Sequence, residues 1–125
     1  MRILIPALAP VALVLVALAM PALADSYPVS GRWGESNGTD KGAIDCAGRR
    51  VIGFNGNQRT DSKGGVAAYR NVSVQRYGDG WRIVDEFTTG QISAGRTSLT
   101  LRKSGDDRIE LGLQGGSTLK LQRCK

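Results

Sequence analysis

The sequence predicts an all-β protein, a small antiparallel barrel of about eight strands, with a two-sheet sandwich as the alternative. Three observations lead there. Beyond position 25, no window of about eleven residues carries a helical apolar period. Short runs alternate apolar and polar residues, as strands with one dry face do. Glycines recur between those runs, where they supply turns and weaken helices. Closure into a barrel covers the dry face and removes sheet edges. The visible connections are tight hairpins without a long crossover, which favours the barrel.

Residues 66–89 carry the clearest hairpin. Val72 and Val74 alternate with Asn71, Ser73 and Gln75, while Trp81, Ile83 and Phe87 alternate with Arg82, Val84 and Glu86. Gly78-Asp79-Gly80 lies between as the turn. Val29–Gly34 is expected to open the barrel with Trp33 inward, and residues 35–42 form a loop. Ala43–Cys46 and Arg49–Phe54 read as two further short strands. Residues 55–65, NGNQRTDSKGG, form the most polar stretch and read as an exposed turn or loop. Thr89–Gly95 has one large apolar residue, Ile92, and reads as a bulged or crossing segment. A second hairpin then alternates over Thr97–Arg102 and Arg108–Leu113 around Ser104–Asp107. The last strand runs over Ser117–Arg123 with Leu119 and Leu121 inward.

The first 24 residues form their own unit. Arg2 is followed by an apolar run from Ile3 to Met20, and Ala22-Leu23-Ala24 matches a small-residue cleavage site. This pattern predicts a secretory signal peptide removed before Asp25, leaving one domain over 25–125 and no membrane insertion after cleavage. A retained anchor is the rival reading, which Pro6, Pro10 and the cleavage site disfavour. A periplasmic or secreted location follows. In that setting Cys46 and Cys124, the two cysteines of the chain, predict one disulfide tying an early strand to the chain's end. In the chain-entropy picture such a staple contributes about 4–5 kcal/mol.

The formal net charge is +6, one less once Arg2 is removed. The basic residues are scattered, with no tail or block beyond Arg49-Arg50. That charge suits solubility and weak anion attraction. Tyr69, Tyr77 and Trp81 flank Arg70, Arg76 and Arg82, but by parity the tyrosines and Arg70 and Arg76 fall on opposite faces. No nucleic-acid partner is expected.

The chemistry is sparse. The chain has no histidine, which removes the common general base and metal ligand. Bridged cysteines leave no thiol nucleophile. No serine sits on a strand-to-helix elbow, and no glycine loop precedes a helix. Asp106-Asp107 fits a turn rather than a metal site. Neither a cofactor nor an enzymatic activity is expected. Asp85 is the exception to the strand pattern, a carboxylate with the inward parity of Trp81, Ile83 and Phe87. A buried carboxylate needs a partner, and Arg50 is a candidate by its parity with Ile52 and Phe54. Asp85 is either half of an ion pair that fixes register or a polar anchor inside a ligand cavity.

The opening Gly31-Arg32-Trp33 and the phrases Tyr69-Arg70-Asn71-Val72 and Val84-Asp85-Glu86-Phe87-Thr88-Thr89-Gly90 resemble small exported β-barrel proteins of alphaproteobacteria. That family carries no assigned activity. More weakly, the Gly-x-Trp opening is similar to periplasmic barrel inhibitors of secreted metalloproteases, and to lipocalin and avidin barrels. The inhibitor resemblance implies that the leader Asp25–Val29 contacts an enzyme, with Tyr27 and Val29 as partner-binding residues. The lipocalin-like resemblance implies a hollow barrel.

Two functions follow. The first is a non-catalytic, monomeric binding or interaction module of the bacterial envelope, an inhibitor of a secreted or periplasmic enzyme being one form of it. The second is a small hydrophobic-ligand barrel, with Trp33, Phe54, Trp81 and Phe87 lining the cavity and Asp85 as the polar anchor. Interior volume separates the two.

Overall fold

The computed structural model describes residues 26–91 and 94–125. The expected signal peptide, and Ile92 and Ser93 of the Thr89–Gly95 segment, lie outside the described residues.

Eight strands close into an up-and-down barrel: β1 (Gly31–Glu35), β2 (Val51–Asn55), β3 (Gln58–Asp61), β4 (Tyr69–Tyr77), β5 (Gly80–Phe87), β6 (Gly95–Gly105), β7 (Arg108–Leu113) and β8 (Thr118–Arg123). Each strand pairs antiparallel with the next, and β1 pairs with β8 to complete the ring. The connections after β1, β3, β5 and β7 therefore lie at one rim. The turns after β2, β4 and β6 lie at the other, with the N-terminal segment and the chain's end.

Alternation fills the interior. Leu99 and Leu101 of β6, Ile109 and Leu111 of β7, and Leu119 and Leu121 of β8 meet Trp33, Ile52, Phe54 and Ile83 in one buried cluster. Each such side chain contributes about 1.5–3 kcal/mol by leaving water. Trp33 is 1% exposed, donates its indole N–H to Ser30 O at 3.0 Å, and lies 4.3 Å beneath the Arg123 guanidinium.

Two features depart from the sequence expectation. Ala43–Cys46 is not a strand; Ile44 makes one isolated bridge, to Cys124. The polar stretch 55–65 instead contains β3, because Gly56 and Asn57 form a two-residue turn between the paired Asn55 and Gln58. Gly56 takes a positive φ of 63° there, which a side chain would resist. The pairing of β3 with β4 is short, Gln58 with Arg70 and Arg59 with Tyr69.

The segment between β1 and β2 folds over the outside of β8. Gln122, outward-facing yet buried, donates to Asp40 O at 2.9 Å and Gly42 O at 2.7 Å and accepts from Ser36 Oγ at 2.7 Å. The Cys46–Cys124 disulfide pins the same segment, closing a sequence separation of 78 residues. Cys46 Sγ rests over Gly34, where a Cβ would come within 2.5 Å of the sulfur.

Replacing both cysteines by serine is expected to lower the unfolding free energy by about 2–5 kcal/mol, read from urea denaturation. An unchanged urea midpoint would mean that the ladder and the Gln122 contacts hold the segment without the bridge.

Candidate functional site

Asp85 faces the interior, as its parity in β5 dictates, and is 0% exposed. Three donors converge there. Arg59 Nε donates to its Oδ2 at 2.7 Å, Tyr27 Oη donates to Oδ1 at 2.8 Å, and Asn71 Nδ2 donates to Oδ1 at 3.2 Å. Arg59 is itself buried, its guanidinium 3.9 Å from the centre of the Tyr69 ring. Arg59 is thus the partner of Asp85, in place of the expected Arg50. Arg50 stands beyond the start of β2 and makes a two-pronged pair with Asp61, Nε to Oδ1 at 3.0 Å and Nη2 to Oδ2 at 2.7 Å. Asp61 pairs with Ile52 across the ladder and so lies within Arg50's reach. Burial alone would raise the Asp61 carboxyl, but Arg50 and the Lys63 amide together hold it below the usual range.

A β-bulge places Asn71. The register of β4 on β5 shifts between Asn71 and Ser73, so Asn71 opposes Asp85 while Val74 opposes Ile83. Both then face inward, three residues apart, where strict alternation places Val72 and Val74. Asn71 Nδ2 also reaches Ser73 O at 3.1 Å and Val84 O at 3.3 Å across the bulge. Its Oδ1 has no partner among the described residues.

Tyr27 reverses its expected setting. The leader is not a free arm: Tyr27 is 8% exposed, its N–H donates to Gly56 O at 3.0 Å, and its ring meets Phe54 edge-on at 5.0 Å. The reason is chemical. The ring adds apolar area to the core while its hydroxyl supplies a donor that Asp85 requires. Val29 packs partly buried against the same core. Burial, then the Asp85 charge and hydrogen bond, push the Tyr27 hydroxyl well above its ordinary range.

The four aromatics expected around a cavity have separate surroundings. Trp33 and Phe54 are core, under Arg123 and against Tyr27 respectively. Trp81 is half-buried at the end of the β4–β5 hairpin, beneath Arg76 at 4.9 Å and Lys103 at 6.0 Å. Phe87 is half-buried near the opposite rim, edge-on to Tyr69 at 5.6 Å. An open cleft of about 430 Å³ runs beside Phe87, bordered by Asn57, Ala67, Ala68, Tyr69 and Arg70. Beyond the bulge, Arg76 shares the Trp81 face and Arg82 lies 4.2 Å from the ring of Tyr77, so each face at this end of the hairpin pairs a charge with a ring.

Arg59 and Asn71 are the members of this cluster that sequence reading missed. The Gly56-Asn57 turn is the signal that places Arg59 on a strand. The alternating pattern of β4 contains no comparable signal for the bulge.

Two outcomes test the cluster. Arg59→Met is expected to cost about 3–5 kcal/mol in urea denaturation, because it leaves Asp85 charged and buried. Adding Asp85→Leu to Arg59→Met should recover a large part of that loss; failure to recover would show that Arg59 acts through packing on Tyr69. The second test uses pH. A tyrosine whose folded pKa is raised supports the fold fully below its unfolded pKa, near 10, and loses that support as pH climbs toward the folded value. Wild-type stability should therefore fall as pH rises past about 10, and Tyr27→Phe should lose that part of the slope. Equal slopes would mean that the hydroxyl ionises as easily in the barrel as in the unfolded chain.

Comparison with protein-family models, with curated proteins and with solved structures finds no match to this chain.

Proposed function

We propose that this chain is a non-catalytic binding module of the bacterial envelope, exported by its N-terminal segment, and that it engages its partner through the outside of the barrel. The filled, latched interior carries this reading. Both oxygens of Asp85 are occupied by Tyr27, Asn71 and Arg59, so the carboxylate has little left to offer a ligand or a reaction. Trp33 and Phe54 are consumed by core packing. The disulfide is compatible with an oxidising compartment, in keeping with a periplasmic or secreted protein. An inhibitor that presents its leader fits less well, because Tyr27 is folded back into the barrel.

A second reading has its own observation. The cleft beside Tyr69 and Phe87 falls within the size range of small-molecule sites and combines half-buried rings with alanines. A small apolar ligand there would make the rim, not the centre, the binding site.

Photo-crosslinking residues introduced at the exposed positions Gln75, Ser98 and Lys120 are expected to trap a discrete envelope component in intact cells. Solvent extraction of the purified protein should release no stoichiometric small molecule. A stoichiometric apolar molecule whose removal shifts the side-chain resonances of Phe54 and Trp33 would overturn the outside-surface reading. Shifts confined to Tyr69 and Phe87 would replace it with the cleft.

A further inference from the structure

The outer face of β5–β8 contains a trough set by register. Arg82 opposes Thr100, Thr100 opposes Gly112, and Gly112 opposes Thr118, so one row across four strands is small from its second member onward. The row toward the β4–β5 turn is taller: Arg102 opposes Glu110, and Glu110 opposes Lys120. On the other side stand Ser98, Gln114 and Ser117. The low row, bounded by the taller Arg102–Glu110–Lys120 row on one side and by Gln114 on the other, forms a groove running across the strands. Two adjoining hollows occupy it, about 350 Å³ beside Arg82 and Ser98 and about 220 Å³ beside Tyr77 and Thr118, and both are bordered by Thr100 and Gly112. Gly112 is required for that depth, since a Cβ there would stand 2.3 Å from Thr100 Oγ.

The lining combines hydroxyls, an amide and charge with apolar surface from Leu113, Tyr77 and Trp81. Arg102 is neutralised by Glu110 at 2.8 Å and Asp79 at 3.8 Å. Arg82 has no ion pair among the described residues; its guanidinium is held over the Tyr77 ring, and that ring is 51% exposed. A guanidinium steadied by a ring loses less freedom when its N–H groups meet an oxyanion.

We propose that this trough binds a uronic-acid-bearing oligosaccharide, its sugar hydroxyls along Thr100, Ser98, Gln114 and Thr118, one carboxylate at Arg82 and a sugar face on Tyr77. This rests on the outside-surface reading above and names its ligand class. Other polymers fit less well. The backbone groups of these strands are committed to the ladders on both sides, so a peptide cannot add as a strand. A nucleic acid needs several unpaired cations along its phosphates, and the trough has Arg82 on its floor row with Lys120 on its flank.

The test titrates the purified protein by calorimetry with oligogalacturonate and oligoguluronate, with the methyl ester of the same galacturonate chain, and with an oligothymidylate of equal length. Saturable binding of at least one uronate is expected, with the ester weaker by roughly tenfold, the loss of one charge-assisted contact. Arg82→Gln should erase the difference between acid and ester. Thr118→Trp should abolish binding by filling the floor, and Ser98→Trp should do so from the other side; thermal melts verify that each variant folds. Lys63→Gln, exposed and outside both the trough and the cleft, should bind as wild type. Failure of both uronates to bind, undiminished binding by folded Thr118→Trp and Ser98→Trp, or tighter binding of the oligothymidylate would each overturn the proposal. If the uronates fail while crosslinks at Gln75, Ser98 and Lys120 persist, only the ligand class falls. A molecule extracted from the interior removes the broader reading instead.

Discussion

The Asp85 carboxylate is the constraint around which the barrel is arranged. A charge with no solvent access is tolerated only when its lone pairs are engaged, and this one draws its donors from three other parts of the chain. Tyr27 comes from the N-terminal segment, Arg59 from β3 and Asn71 from β4. The first two are also the regions where the ladder alone is thinnest. The N-terminal segment lies outside any strand, and β3 shares two opposed residue pairs with β4. Replacing such a pair by apolar residues of similar size often costs nothing in stability. The role consistent with that comparison is specificity: the polar cluster favours one register of β3, one position of the bulge and one seat for Tyr27.

Much of the architecture is legible in sequence because its cause is local. The alternation of Thr97–Arg102, Arg108–Leu113 and the last strand follows directly from the two-residue period of a pleated chain with one dry face. The inward direction of Asp85 has the same origin. Legibility ends where a non-local partner decides. Arg59 lies within a stretch whose composition suits solvent, and its strand forms because Asn55–Gln58 reverses the chain and Asp85 rewards a cation at that spot. Ile44 and Cys46 look like a strand by composition, yet the neighbouring ladder position is already taken, since β1 lies between β2 and β8. The bulge at Asn71 is harder still. It trades regular alternation for an inward amide, and only the carboxylate on the facing strand explains the trade.

The candidate surfaces follow from the same arrangement. The outer face of the barrel is not uniform. Where Gly112 and two threonines align, the sheet sinks; where Arg102 and Glu110 pair, it rises. That relief is a product of register, and register is held in turn by the closed ring.

The position of the disulfide sets an order of events. Cys124 follows directly on β8, and Cys46 precedes it by 78 residues. The earlier thiol must therefore wait for the last strand of the barrel to be made before its partner exists. With no third cysteine present, it cannot be captured by a wrong partner within the same molecule. Its one hazard in that interval is another copy of itself. Oxidation that outruns completion of the last strand would give covalent pairs of incomplete molecules, while oxidation that follows seals a ring already closed by hydrogen bonds. The spacing of the two cysteines thus makes the covalent bond a record that the last strand of the barrel arrived first.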